Sequence, residues 1–191
     1  MRVVSFDIGI KNLSHCAIDG RKVVHWNTVT LCPSQKKPSV QDTTIALFAY
    51  LDWICDHLKS LGWFREGFTV LIEQQLSRNA QCKAVQHKLY AYFALESHRH
   101  KIDMKIIQCP AKTRYCTSQK NFKGTKSQKY SQRKKQSISD AQTMIETCPV
   151  LVERFSNCKK KDDLADSLMQ IVVWFKISAS DPIVAHPNCF A

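Results

Sequence analysis

The amino-terminal stretch, residues 2–30, reads RVVSFDIGIKNLSHCAIDGRKVVHWNTVT. Three short apolar runs within it have the composition of β-strands, and the Asp19-Gly20 pair between the second and third runs is a strong signal for a two-residue hairpin turn. The strands are expected at residues 2–8, 13–19 and 22–30. This stretch therefore predicts three antiparallel strands connected as a meander.

Beyond residue 30 the apolar pattern alternates between helical and strand periods. Ile45, Phe48, Leu51, Ile54 and Leu58 recur at steps of three and four residues, which predicts an amphipathic helix from about 41 to 60. The remaining elements are expected as strands at 68–73 and 105–109 and as helices at about 78–99, 132–147 and 162–178. This order predicts an α/β fold with a mixed five-stranded sheet flanked by helices.

The length of 191 residues, with 44% hydrophobic residues, allows one sizeable core and is too short for two comfortable domains. We expect a single domain over residues 1–180 and a loosely packed tail over 181–191, which contains Pro182 and Pro187. We expect neither a signal peptide nor a membrane span, since no apolar run approaches ~20 residues. The nine cysteines form no CxxC pair, so we expect reduced thiols in a reducing intracellular compartment.

The charge of the chain is strongly positive, with 28 Lys and Arg against 16 Asp and Glu. Residues 99–135 hold twelve of the basic residues and a single acid, Asp103. A basic loop at about 112–135 is expected to neutralise phosphates, although a solvated loop without a specific role would have the same composition. The residues predicted to bind the phosphates of a nucleic acid are Lys11, Arg78, Lys112, Arg114, Lys120, Lys123, Lys126, Lys129, Arg133, Lys134 and Lys135.

Four acidic residues stand out in this chain, and the first two lie where an isolated charge is strongly destabilising. Asp7 and Glu73 end apolar strand-like runs, and Asp163 and Asp166 are three residues apart near the start of a helix, where they share a face. If the first and fourth strands are neighbours, Asp7 and Glu73 come together. Oxygen ligands of this kind favour Mg²⁺ or Mn²⁺, and two such ions about 4 Å apart support in-line hydrolysis of a phosphodiester.

Each of these acids also has a purely structural explanation. Asp7 could form the turn before Gly9, and Glu73 could simply begin a loop. Asp163 and Asp166 could be acids favoured by the dipole at a helix start, while Asp162 is expected to cap the helix or to assist its neighbours. The joint pattern indicates metal chemistry more strongly than any single residue does.

The flanks of these acids resemble those of the RuvC-like Holliday junction resolvases of the ribonuclease H superfamily. The resemblance is greatest to the poxvirus and iridovirus type and to the related yeast mitochondrial enzymes. It lies in Phe6-Asp7-Ile8-Gly9-Ile10-Lys11-Asn12, in Ile72-Glu73-Gln74-Gln75 followed by Arg78-Asn79, and in Lys161-Asp162-Asp163-Leu164-Ala165-Asp166-Ser167. These three motifs occur in the same order and span most of the chain.

The resemblance implies a ribonuclease H-like fold, a homodimer and symmetric nicking of four-way DNA junctions. It also implies that Asp7, Glu73, Asp163 and Asp166 are both the catalytic residues and the ligands of two Mg²⁺, for which Mn²⁺ could substitute. A viral protein of this kind would act in the host cytoplasm or nucleus. Two other functions stay open from the residues: a ribonuclease H that cuts RNA/DNA hybrids, and a nucleic-acid-binding module without catalysis.

Overall fold

A six-stranded mixed sheet forms the centre of the molecule. The computed structural model describes residues 1–9, 11–33, 38–76, 78–110, 124–178, 180–187 and 189. Its strands are β1 (Arg2–Ile8), β2 (Asn12–Asp19), β3 (Lys22–Thr30), β4 (Phe68–Gln74), β5 (Met104–Pro110) and β6 (Val184–Ala185). They follow the order β5-β4-β1-β2-β3-β6, in which β1, β2 and β3 are antiparallel and the other neighbours are parallel. The predicted meander is confirmed.

Helices cover both faces of the sheet. One face carries α1 (Val40–Ser60), α2 (Trp63–Glu66) and α3 (Ala80–His100), and the other carries α4 (Lys126–Ile145), α5 (Pro149–Asn157) and α6 (Lys161–Trp174). The central strand β1 divides its side chains between two cores, because alternate residues of a strand point to opposite faces. Val4 and Phe6 pack against the first helical layer, and Val3 packs against the second.

The helix α1 begins at a capping box in which Ser39 and Asp42 bond each other's backbone N–H. Its buried stripe includes Leu51, Ile54 and Leu58, as predicted, together with Leu47 and Cys55. Ile45 and Phe48 were expected in that stripe but are 60% and 36% exposed. The apolar residues at steps of three and four follow a face of α1 that is rotated slightly from its buried face. As a result, α1 also has apolar residues on its outer side.

The predicted basic loop at 112–135 is wrong over its second half, because α4 already begins at Lys126. Thr125 and Gln128 form a capping box that satisfies the first backbone donors of this helix. Because Lys and Ser are frequent in this segment, few apolar residues mark a helical period in its sequence. The first half of the predicted loop, residues 111–123, lies outside the described residues. The short helix α5 was not predicted, since nine residues give a weak period.

The predicted loose tail at 181–191 is also wrong in its middle part. Ile183 is fully buried in the core beneath α4, α5 and α6, and its N–H donates to the carbonyl oxygen of Met144 over 3.1 Å. Val184–Ala185 then forms β6 beside Lys22 and Val23 of β3. The sheet therefore has six strands rather than the predicted five. A two-residue strand is too short to show alternation in a sequence.

In the described part of the chain, no helix has the length and apolarity that crossing a membrane requires. The described cysteines are free thiols, and Cys116 lies outside the described residues.

Candidate active site

A row of five residues crosses the sheet where β1 and β4 end. Phe6 of β1 pairs with Ile72 of β4, so the next positions, Asp7 and Glu73, are side by side. The row continues through Ser14 and Thr28 on one side, which pair with Asp7 and with each other across β2 and β3. On the other side Cys109 pairs with Glu73. The predicted proximity of the ends of the first and fourth strands is confirmed.

Asp7 and Glu73 face the layer that contains α6. Ser5 lies two residues before Asp7, hence on the same face, and its hydroxyl donates to the carbonyl oxygen of Ser167 in α6. Leu71, two residues before Glu73, packs in the core of the same layer. Both carboxylates are nearly buried, with 7% and 5% exposure. Acids this deep in a protein require cations or hydrogen-bond donors to remain charged.

The helix α6 brings two more acids to this side of the sheet. Asp163 and Asp166 lie in its first turns, and Asp166 is nearly buried. The hydroxyl of Ser137 in α4 donates to Asp166 Oδ1 over 2.5 Å. Burial raises the pKa of Asp163, and the negative charges of Asp162 and Asp166 raise it further, although nearby lysines oppose this effect. A bound cation would relieve that repulsion.

Asp162 has a different role from its neighbours. It forms an ion pair with Lys134 of α4, and the residue at the N-cap of α6 is Lys160, so the predicted capping role is wrong. Burial favours the neutral carboxyl, but the hydrogen bond and charge of Lys134 outweigh burial and lower the pKa of Asp162. Lys134 and Ser137 are one turn apart, and together they fix α6 against α4.

Glu73 is oriented by a chain of glutamines. The side-chain amide of Gln75 donates to Glu73 Oε2 over 2.8 Å, and the backbone N–H of Gln75 donates to Gln86 Oε1 of α3 over 2.8 Å. Gln86 in turn donates to Gln108 Oε1 of β5 over 3.0 Å. These links join three elements around one carboxylate. The sequence contained no signal for Gln86 or Gln108, because both are separated from Glu73 along the chain.

The predicted metal ligands are arranged as two pairs. Asp7 and Glu73 lie on the sheet, and Asp163 and Asp166 lie on α6. Among the described residues, no three His, Cys, Asp or Glu side chains form a group that could hold a metal ion as they stand. The donor set nevertheless fits Mg²⁺ or Mn²⁺, since it consists of carboxylate oxygens and three of the four acids are nearly buried.

The predicted DNA-contacting residues that the structure describes lie on α4 and in two turns. Arg78 is exposed in the turn before α3, and Lys11 is exposed after β1, where its carbonyl oxygen accepts a bond from Leu31 N–H. The members on α4 are Lys126, Lys129, Arg133, Lys134 and Lys135. Those that lie outside the described residues are Lys112, Arg114, Lys120 and Lys123. The basic helix thus packs directly against the helix that carries Asp163 and Asp166.

Comparisons with known proteins are consistent with this arrangement. The model of the family described as Poxvirus A22 protein matches residues 1–177. A Thermus thermophilus RuvC in complex with a Holliday junction substrate has a similar structure, with a TM-score of 0.52 and 11% identity, over 93% of this chain and 96% of that one. A second Thermus thermophilus RuvC structure gives a TM-score of 0.50 with the same identity and coverage. No curated protein sequence matches.

At 11% identity, the two RuvC structures establish a shared fold rather than shared residues. Their coverage extends over nearly the whole of both chains, so the likeness includes the sheet and both helical layers. The predicted ribonuclease H-like architecture is therefore confirmed. The roles of the side chains in the row across the sheet therefore follow from their own chemistry and not from the RuvC structures.

Proposed function

Because the chain belongs to the Poxvirus A22 protein family, a family of Holliday junction resolvases, we propose that its acids at the ends of β1 and β4 and in α6 cut branched DNA. The reaction is hydrolysis of one phosphodiester in each of two opposed strands. The observation that supports this most is the alignment of Asp7 and Glu73 at the ends of two paired strands, facing the helix that carries Asp163 and Asp166. These four residues are the proposed catalytic site.

The role that we propose for each acid follows from its contacts. Asp7 and Glu73 provide carboxylate oxygens from two strands that lie in the interior of the sheet, where each strand is hydrogen-bonded on both sides. Asp166 is oriented by the Ser137 hydroxyl, and Glu73 by the Gln75 amide. Orientation by such supporting groups keeps like-charged side chains at a common site.

We propose that the four carboxylates hold two Mg²⁺, with Mn²⁺ as a substitute. When bound, two such ions activate the attacking water and stabilise the leaving oxygen of a phosphodiester. The chain itself contributes the oxygen ligands and a nearly buried site, with Asp7 7% exposed. The exposed basic residues of α4 and the turns would bind the phosphates on either side, which positions the strand without reading its sequence.

Two symmetric cuts require two copies of the site, so we propose that the protein acts as a homodimer. The outer faces of α1 and α3 support this proposal. Tyr92 of α3 donates to Asp52 of α1 over 2.6 Å, which joins the two helices, and Ile45, Phe48 and Leu95 are exposed apolar residues on them. Exposed apolar side chains on two joined helices are typical of an interface between subunits.

The proposal is tested by incubating the purified protein with end-labelled four-way junctions in Mg²⁺, in Mn²⁺ and in EDTA. We expect paired nicks in opposed strands with either metal and no nicks in EDTA. Linear duplex of the same sequence is the control substrate and should stay intact.

The same preparation should be assayed on an RNA/DNA hybrid. Faster cleavage of the hybrid than of the junction would contradict the proposal and favour a ribonuclease H. Tight junction binding without cleavage in any concentration of either metal would instead indicate a binding module.

A further inference from the structure

A groove crosses the amino-terminal end of α6 on the outside of the molecule. It consists of two adjoining clefts of about 540 Å³ and 470 Å³, which share Cys158 and Lys159. The larger cleft lies between α4 and the start of α6, and the smaller one reaches past α5 to Asn27 and Thr28 of β3. We refer to the two clefts together as the α6 groove.

The lining of the α6 groove is basic. It includes five cations, Lys134, Lys135, Lys159, Lys161 and Arg154, against the two acids Asp162 and Glu153. Lys134 is paired with Asp162, and Arg154 donates to Asn27 Oδ1 over 2.7 Å. Across the described ranges of the chain, Lys135, Lys159 and Lys161 take part in no ion pair. These three side chains can therefore bind anions without breaking an existing contact.

An exposed aromatic ring lies at the α4 end of the groove. Tyr130 is 58% exposed, and the ammonium group of Lys134 lies 5.0 Å from its ring centroid. The Lys134 contact helps to orient the ring on the helix surface. A flat ring with phosphate-binding lysines beside it is the combination that proteins use to hold unpaired nucleic acid, because an unpaired base offers a free face for stacking.

The groove adjoins the proposed catalytic site at two points. Asp162 and Leu164, which line it, flank Asp163 in α6. Thr28, at its β3 end, is the last residue of the row that crosses the sheet, separated from Asp7 by Ser14. A DNA strand that leaves the catalytic site in this direction would enter the α6 groove.

We propose that the α6 groove binds an unpaired segment of DNA, with one base stacked on Tyr130 and phosphates bound by Lys135, Lys159 and Lys161. The proposal rests on the proposed function, since it assigns this groove to the strand next to the cut. Its consequence is that base pairs near the branch point open when the protein binds. A duplex, whose bases are already stacked on each other, gains nothing from Tyr130.

Binding of a fluorescent oligo-dT strand, measured by anisotropy in EDTA, tests the groove separately from cleavage. We expect the Lys159→Ala/Lys161→Ala variant to bind the strand about tenfold or more weakly. A plot of log affinity against log salt concentration should also become less steep by about 1.4, because two phosphate contacts are lost. Tyr130→Ala should weaken binding by about fivefold or more, whereas Tyr130→Phe should preserve it. With an oligo-dT strand that carries one 2-aminopurine, Tyr130→Ala should also abolish the quenching of that base, and Tyr130→Phe should retain it. Lys22→Ala, at the opposite end of β3, is the matched control.

Circular dichroism should verify that each variant is folded. Affinity for the unpaired strand that equals wild type in both the lysine and the Tyr130→Ala variants would overturn the groove assignment. That result leaves junction cleavage by the wild-type protein intact. Conversely, a wild-type protein that binds the strand through these residues but never cuts a junction would refute the proposed function while supporting the groove.

Discussion

The hydroxyl of Ser137 shows how a single residue controls an acid on another helix. Ser137 is buried in α4, and its only role in the contacts described is to donate to Asp166 Oδ1. Because a carboxylate can rotate about its terminal torsion, this bond selects one orientation of Asp166. Lys134, one turn earlier in α4, likewise forms an ion pair with Asp162 of α6.

We predict that Ser137→Ala lowers the affinity of the protein for Mg²⁺ by about 10- to 100-fold, since Asp166 loses its orienting donor. The measurement is the stabilisation of the protein by Mg²⁺ in a thermal unfolding series, together with the Mg²⁺ dependence of junction cleavage. Ser139→Ala, on the exposed side of the same helix, is the control. A Ser137→Ala protein with the Mg²⁺ dependence of wild type would show that Ser137 only fills space.

The sequence predicted the acids of the site but not the residues that orient them. Asp7 and Glu73 were recognisable because each interrupts an apolar strand at its end, which is a local pattern. Ser137 is an ordinary polar residue in a Lys- and Ser-rich segment, and its contact with Asp166 spans 29 positions of the chain. Such long-range contacts depend on how α4 packs, which no local period specifies.

Among the elements, β2, β3 and α1 are joined by a group of histidines around the fully buried His15. His15 Nε2 and His25 Nδ1 are 2.6 Å apart, and the hydroxyl of Tyr50 is 3.0 Å from His15 Nδ1. Burial lowers the pKa of His25 to about 4, with the nearby His57 and Arg154 adding to the effect. Burial lowers the pKa of His15 well below its usual range, and the charges of His25, Arg154 and His57 lower it further.

We predict that the free energy of unfolding decreases as the pH falls from about 6.5 towards 4. The folded state keeps these imidazoles neutral, while the unfolded chain binds protons at the ordinary histidine pKa, so acid favours unfolding. Urea denaturation at several pH values measures this, and His25→Gln should flatten the curve over that range. An unfolding free energy for His25→Gln that declines as steeply as that of wild type would contradict the explanation.

Elements with strong local periods were predictable, and elements made by tertiary contacts were not. The meander followed from strand-like composition and a hairpin signal, and α1 followed from apolar residues at steps of three and four. In contrast, β6 exists because Ile183 is buried beneath Met144, which brings the next two residues alongside β3. The beginning of α4 depends on the Thr125 capping box within a very polar segment. Both features are set by a few specific contacts rather than by a repeating pattern.

For the whole molecule, the two helical layers have different surfaces. The layer of α4, α5 and α6 carries the basic α6 groove and faces the acids, whereas the outer side of α1 and α3 exposes Ile45, Phe48 and Leu95. This separation would leave the DNA-binding side open when two copies associate through α1 and α3.

We predict that Ile45→Glu/Phe48→Glu converts a dimer into a monomer, because it places four charges, two from each copy, in one apolar interface. Light scattering after size-exclusion chromatography measures the mass. Val150→Glu, an exposed apolar residue on α5, should leave the mass unchanged. A double variant that remains dimeric would place the interface elsewhere.

The central claim is that the acids at the ends of β1 and β4, with those of α6, cut branched DNA. The most direct test compares Asp7→Asn with Asp103→Asn, an exposed acid before β5, in binding and cleavage of a four-way junction in Mg²⁺. We predict that both variants bind the junction like wild type and that only Asp7→Asn loses cleavage, by at least about 100-fold, because removing even a residue that merely supports a metal ligand costs 10–100-fold. Undiminished cleavage by Asp7→Asn would contradict the account.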